Sequence, residues 1–481
     1  MDSFDLLVVG GGINGAAIAR DAAGRGLDVL LVEKDDLAAH TSSASSKLIH
    51  GGLRYLEQYE FRLVRESLHE RAILLRTAPH IVRPLKFVLP DPPGGRPFWL
   101  LRLGLLLYDL LRGRDELPRS RRETAADPAL KLGFTRAFYY DAWVDDARLV
   151  VLNALDAAER GAEIAVGTEL ISARRDRETW IARLSDGRTV TARTIVNAAG
   201  PWVAEVLNQR LGARSESRVR LVKGSHILVP RLWQGDQAYI LQNEADGRVV
   251  FALPYGENSL IGTTDISVAT PGEAVASAEE IAYLCAAANA YFVRHTSPAD
   301  VIWAYAGVRS LYDDGASRPK DITRDYHLEL DPAPGAKLLS VFGGKITTAR
   351  ALAIEALDRL GVGGLKFTTN SALPGGNVGE GFNRRLSELS AWLPGDILLR
   401  LARAYGTRID AVIGEAEALT DLGRHFGAGL YEAEVRYLMD TEFARTADDI
   451  LWRRTKLGLA MSPAERKELA DWIGTRANSR R

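Results

Sequence analysis

From Phe4 to Val9 the chain is apolar at every position but Asp5, and the run stops at Gly10-Gly11-Gly12-Ile13-Asn14-Gly15. Such a run predicts a strand buried on both faces, as in a parallel sheet. Helical spacing follows from Ile13 to about Arg25, with Gly26 as its C-cap. Asp28 to Glu33 is a second buried strand ending in an acid, which completes a β-α-β unit in about 30 residues. Thr41 to Gly52 is small and polar, the composition of a loop lying against a ligand. Leu53 to about Ala78 is patterned as an amphipathic helix, Pro79 to Pro97 as a proline-broken connection, and Phe98 to Leu111 as another helix.

Beyond a helix near Asp146–Arg160, short strands at Glu163–Thr168, Leu170–Arg175 and Trp180–Leu184, with an Asp186-Gly187 turn, predict a meander. Thr194 to Asn197 runs as a strand into Ala-Ala-Gly200. Arg218 to Thr264 alternates strand runs with turn residues, predicting a mainly antiparallel substrate-facing sheet. Ser277-Ala-Glu-Glu280 is a capping box that opens a helix. Val301–Val308 and Lys337–Phe342 are strands, the second ending in Gly343-Gly344 before a helix that opens at Ile346. From Leu373 onward the pattern is helical. The expected fold is therefore α/β. Its Rossmann-like cofactor domain is assembled from residues 1–80, 141–205 and 306–370, interrupted by an insertion at 81–140 that faces substrate or membrane. An antiparallel-sheet substrate domain at 206–305 and a small helical C-terminal domain at 371–481 complete it.

Composition narrows the function. Lys+Arg at 61 balance Asp+Glu at 62, so no global field favours nucleic acid, and any anion site must be local. Cys285 is the only cysteine, which excludes an intrachain disulfide and a cysteine-held metal or iron–sulfur centre, and points to a reducing compartment. No leader precedes the first strand, so the fold is expected to start almost at Met1. The greasiest segment, Phe98–Leu111, is interrupted by Arg102 and Asp109 and is too short for the roughly 20 residues of a spanning helix.

Gly10-x-Gly12-x-x-Gly15 turns the chain tightly, lets backbone approach a pyrophosphate, and packs helix on strand, with the helix N-terminus facing the anion. Asn14 lies within this turn, and Glu33 is placed to accept both ribose hydroxyls, which suits FAD or NAD and disfavours NADP. Two remote turns decide for FAD. Asn197-Ala-Ala-Gly200-Pro-Trp202 brings Gly200 and Trp202 to the ligand, and Gly343-Gly344-Lys345-Ile346-Thr347 brings Gly344, Lys345 and Thr347. The helix opening at Ile346 is expected to aim its positive end at the flavin pyrimidine, stabilising reduced flavin.

The strings Gly10–Gly15, Thr41–Glu57, Trp143–Leu149, Lys223-Gly-Ser-His226, Phe342–Thr348 and Leu451–Lys456 together resemble the FAD-dependent, quinone-linked glycerol-3-phosphate dehydrogenase family over nearly the whole chain. The long Thr41–Glu57 string is the specific part. The resemblance implies a D-amino-acid-oxidase-like fold, FAD, oxidation of glycerol 3-phosphate to dihydroxyacetone phosphate, and electron delivery to a membrane quinone. Thr41, Ser42, Ser45 and Ser46 are the expected cofactor contacts on that string, and Lys47 and His50 are expected to hold flavin and pyrophosphate.

A phosphate monoester in a dry flavin site needs fixed cations, best supplied by arginine. Arg54 and Arg309, each among small or apolar neighbours, are the candidates, with Tyr55 adding a hydroxyl. Oxidising the C2 alcohol also needs a base. His226 has the family position and suitable intrinsic chemistry. Lys345 is the competitor, as base, as orienting group, or as holder of a water. Without cysteines for a relay, reduced flavin must pass electrons directly to quinone or to oxygen. The alternatives are an oxidase giving hydrogen peroxide, an amine oxidase of the same fold, and a non-enzymatic flavin-binding redox sensor or membrane-docking protein.

Arg102, Arg112, Arg114, Arg119, Arg121 and Arg122 around the apolar helix point to a monotopic surface on anionic lipid, or else to a core helix beside a solvated basic loop. The Trp452-Arg453-Arg454-Thr455-Lys456 segment is a further candidate for membrane contact or for a homodimer interface. The expected location is cytoplasmic, peripherally attached to the inner face of the membrane, with no nucleic-acid partner.

Overall fold

A computed structural model describes residues 2–91, 98–113, 115–123, 127–131, 135–215, 217–243, 246–272, 274–313 and 325–479. Ser3–Val9 lies at the centre of the first sheet, between Val29–Glu33 and Thr189–Asn197, all three parallel. Glu163–Val166 extends one side and Lys337–Phe342 the other, again in parallel, so the cofactor sheet is gathered from three distant stretches of chain. Val29–Glu33 is buried at all five positions, as its unbroken apolar run requires. Helices α1 (Ile13–Gly24) and, further on, Ala349–Arg359 pack together on one face, bringing the first and third glycine turns side by side.

Three elements differ from the sequence reading. Leu53–Ala78 is not one helix: a 3₁₀ stretch at Leu53–Gln58 is bounded by left-handed Gly52 and Tyr59, and helix α2 spans Phe61–Thr77. The proline-rich connection contains a ten-residue strand, Val82–Asp91, paired along its length with a second unexpected strand, Thr135–Val144. Pro84 and Pro90 are tolerated because the other neighbour, Ala238–Gln242, pairs only at Phe87 and Val88. The insertion therefore belongs to the substrate sheet. Helix α3 (Phe98–Leu111) lies across this region as expected, and α4 (Asp146–Glu159) returns the chain to the cofactor sheet.

The second sheet is otherwise antiparallel. A ten-residue pairing joins Val219–Pro230 to Trp303–Tyr312, with His226 opposite Tyr305 and Val222 opposite Arg309. The helical C-terminal region has its own core, from Leu389 to Ile473. Its Trp452–Lys456 segment does not face solvent as a basic patch. Arg454 is 1% exposed, its guanidinium on the Asp36 carboxylate at 2.5 and 2.7 Å, and Arg453 joins the same carboxylate. Buried pairing of this kind removes these two arginines from any membrane or dimer surface.

Candidate active site

Between the two sheets lies a cavity of about 1480 Å³ lined by the three glycine turns, the Thr41–Ser46 loop, and the substrate sheet. Gly10 takes φ +111°, a conformation that favours glycine, and a Cβ on Gly15 would overlap the Gly10 carbonyl oxygen, so this residue sets the approach of α1 to the strand. Gly12 is different: a Cβ there meets only Ser42 Oγ, at 3.2 Å, which leaves the α1 N-terminus open to an anion. The Glu33 carboxylate accepts the Gly11 N–H at 2.6 Å and the Asp35 N–H at 2.9 Å, and burial pushes its pKa up. Asn14 donates to the Gly343 carbonyl at 3.2 Å, tying the first glycine turn to the third. Ser42 Oγ accepts the Ile13 N–H at 3.0 Å, and Thr41 donates to Val308 at 2.6 Å. Trp202 lines the far end, with His40 at 4.6 Å and the Lys34 ammonium 4.0 Å over its ring.

At the other end of the cavity Gly344, Lys345, Thr347, His50 and Tyr55 meet. The Lys345 ammonium sits 4.0 Å over the Tyr55 ring. Burial, with Lys345 and Arg71 as positive neighbours, holds His50 down to about 4, so its ring is neutral near pH 7. Arg309 lines the same end. Its guanidinium pairs with Asp265 and donates to Thr263 Oγ1 at 2.8 Å. Thr263 and Asp265 also line the cavity and were not anticipated; the polar Thr263-Thr264-Asp265 string closing an apolar strand was the available signal. Arg54 lies on the 3₁₀ turn, but its side chain is outside the described residues.

Two expected site residues sit behind the cavity wall. Lys47, 1% exposed, takes Asp146 at 2.7 Å and the Ser43 carbonyl at 2.5 Å, so its charge is neutralised in the core and does not reach a pyrophosphate. His226, 2% exposed, does not line the cavity: its Nε2 is 2.9 Å from Ser46 Oγ, and that hydroxyl lies between the ring and the open space. Burial first, then Lys47 and Arg309, keeps the His226 pKa well below its ordinary value. Ser46 thus joins the imidazole to the cavity, being both a lining residue and the hydrogen-bond partner of Nε2.

The positive helix end, the paired-backbone acid and the glycine turns on one long cavity define a flavin-binding oxidoreductase. Residues 5–350 match the FAD dependent oxidoreductase family, and residues 367–475 match the C-terminal domain of alpha-glycerophosphate oxidase. The chain belongs to this family of FAD-dependent oxidoreductases, and its cofactor is FAD. It is 52% identical over 491 residues to a glycerol-3-phosphate dehydrogenase of Pseudomonas aeruginosa, covering 98% of this chain and 95% of that one. It is 51% identical over 494 residues to a D-erythritol 1-phosphate dehydrogenase of Brucella abortus, covering 98% of both. Among solved structures, the glycerol-3-phosphate dehydrogenase of Bacillus halodurans complexed with FAD matches 98% of this chain and 94% of its own at 26% identity and a TM-score of 0.72.

Proposed function

We propose that this enzyme oxidises sn-glycerol 3-phosphate to dihydroxyacetone phosphate and passes the electrons to a membrane quinone. The observation that carries the reading is the convergence of Arg309, Lys345 and Tyr55 at the end of the cavity remote from Glu33. A dianionic phosphate there meets fixed positive charge, with Arg54 on the adjoining turn as the second arginine. Bound FAD supplies the two-electron acceptor for the C2 hydride. The chain's own residues orient the substrate and remove the hydroxyl proton: Lys345 holds the C2 oxygen, and Ser46 relays its proton to neutral His226. Gly12, Asn14, Glu33, Thr41, Ser42 and Ser45 hold the cofactor's pyrophosphate and ribose side, while His50, Gly200, Trp202, Gly344 and Thr347 line its remaining wall.

The acceptor reading rests on the apolar side of the same cavity. Leu89, Pro90, Leu100, Leu101 and Leu107 continue from the reactive end to α3, whose Trp99, Leu103 and Leu110 are 67%, 56% and 77% exposed. That surface suits the acyl region of an anionic membrane, with exposed Arg119, Arg121 and Arg122 at the headgroups. Arg112 instead packs against Asp109 and Asp115, and Arg114 lies outside the described residues. Among the described residues no helix is long and apolar enough to cross a membrane.

A second substrate reading, a four-carbon alditol phosphate, is favoured by the 51% identity to the D-erythritol 1-phosphate dehydrogenase. Anaerobic titration of the holoenzyme with glycerol 3-phosphate and with D-erythritol 1-phosphate tests both: bleaching of the flavin at lower concentration by the three-carbon substrate is expected. Preference for the tetritol phosphate reverses the assignment, and bleaching by glycine or sarcosine alone removes it. Oxygen uptake compared with ubiquinone-analogue reduction separates oxidase from dehydrogenase.

A further inference from the structure

Both partners of the Ser46–His226 hydrogen bond are braced from the helical C-terminal domain. On the imidazole side, His226 stacks on Tyr305 with centroids 4.8 Å apart and planes 10° from parallel. Tyr305 meets Trp303 at 4.8 Å, two positions along the same strand and so on the same face. Trp303 stacks on Trp452 of the C-terminal domain at 5.5 Å and 22°. On the serine side, the Tyr305 hydroxyl donates to the Ser45 carbonyl at 2.8 Å, and Asp146 accepts from Ser45 Oγ at 2.7 Å and from Lys47. Lys456, four residues past Trp452, adds its positive charge near Asp145 and Asp146.

This segment is held at a conformational cost. Lys456 takes φ +62°, left-handed for a side-chain-bearing residue, and its ammonium donates to the Trp452 carbonyl at 2.6 Å. A Cβ on Gly458 would come within 2.8 Å of the Trp452 ring, so the indole is gripped between Gly458 and Trp303. Asp36 clamps Arg453 and Arg454 between these two residues, fixing the segment to the loop that follows Glu33. The half-buried Trp452 packs with one side against the core of its own helical domain and with the other reaches across to Trp303 of the substrate sheet.

The geometry points to Trp452 as a positioning residue of the active site, one that orients His226 toward Ser46 through the Trp303–Tyr305 stack. A column of four rings transmits orientation because each stacking contact restricts the next ring, and misplacement of a proton acceptor by a fraction of an ångström slows proton transfer without weakening substrate binding. The inference rests on the proposed role of Ser46 and His226, and its test separates the two.

The holoenzymes of Trp452→Phe, Trp452→Leu, His226→Asn and the Trp452→Leu/His226→Asn double variant are compared with wild type. The readouts are the limiting rate of anaerobic flavin reduction by glycerol 3-phosphate, the apparent Kd in the same experiment, FAD occupancy, and the ¹⁵N signature of the histidine rings in selectively labelled protein. Trp452→Leu is expected to slow reduction about ten-fold with Kd within about two-fold, and to shift one histidine signal, the one absent from His226→Asn. Trp452→Phe, which keeps a stacking ring, is expected to recover most of the rate. In the double variant the leucine is expected to add nothing to the loss caused by His226→Asn. A wild-type rate in Trp452→Leu, an equal further loss in the His226→Asn background, or loss of flavin from both Trp452 variants overturns the proposal. A wild-type rate in His226→Asn instead removes the underlying assignment of the base.

Discussion

The hydroxyl of Tyr108, on α3, accepts the Gly51 N–H at 2.9 Å and donates to the Asp141 carboxylate at 2.7 Å. Helix α3 is thereby fastened, through one buried phenol, to the residue next to His50. Tyr108→Phe leaves a buried N–H and a buried carboxylate short of a partner, and is expected to cost about 1–3 kcal/mol. Urea unfolding of the holoenzyme measures it; an unchanged midpoint would show that water replaces the phenol.

Gly15→Val is expected to abolish FAD retention, because its side chain collides with the Gly10 carbonyl and drives α1 from the strand. Gly12→Val is expected to do the same for another reason, filling space left for the pyrophosphate. The absorbance ratio of flavin to protein after gel filtration reads both, and a fully flavinylated variant refutes the cofactor grip.

Arg309→Ala is expected to raise KM for glycerol 3-phosphate with FAD unaffected, by an amount corresponding to about 2–5 kcal/mol for a desolvated charge pair. Part of that loss arises because the Arg309 charge no longer offsets the Asp265 carboxylate it pairs with. Arg309→Ala combined with Asp265→Asn should therefore bind substrate better than Arg309→Ala alone. Steady-state kinetics on the pair decide it, and equal KM values would place the phosphate away from Asp265.

His226→Asn is expected to slow flavin reduction about 10²–10⁴-fold, the usual worth of a general base. Ser46→Ala should reproduce much of that loss, since the hydroxyl lies between ring and cavity. With the His226 pKa held well below 6.5, the wild-type rate should fall only on the acid side, in a limb that His226→Asn lacks. Lys345→Met should weaken substrate binding and keep that limb. Stopped-flow reduction against pH distinguishes them, and a limb lost with the lysine alone exchanges the roles.

His80, 8% exposed, is pressed down to about 3 mainly by burial, with Arg148 adding to the effect. The unfolded chain binds a proton at about 6.5, so between these values unfolding takes up protons. The stability contributed by neutral His80 is complete above about pH 6.5 and is lost as pH falls toward 3. Between pH 7.5 and 5 that loss is on the order of 2 kcal/mol. His80→Gln should flatten the corresponding part of the stability–pH curve from chemical denaturation; an unaltered slope contradicts the burial.

The two central parallel strands were legible because burial on both faces gives them apolar runs, at Leu6–Val9 and Val29–Val32. The strands Val82–Asp91 and Thr135–Val144 were not, because Pro84 and Pro90 signal a loop unless one knows that the neighbouring ladder touches only Phe87 and Val88. The glycine turns and Glu33 follow from local spacing. The placement of His226 behind Ser46, and the neutralising of Lys47 by Asp146, depend on pairings about a hundred residues or more apart that no local pattern encodes. The Trp452–Lys456 segment carried the charges of a surface patch, while its actual partner, Asp36, lies near the opposite end of the chain.

The central strand Ser3–Val9 has Thr189–Asn197 as its neighbour, and that strand in turn waits for Lys337–Phe342. During synthesis the first glycine turn therefore emerges long before the turns that face it. The Gly343 carbonyl that accepts from Asn14 is made only after more than two-thirds of the polypeptide. Non-local pairing of this order delays folding and leaves apolar edges exposed meanwhile. The nascent chain thus presents an unfinished pocket for most of translation, and flavin capture becomes a late event that must wait for the third glycine turn.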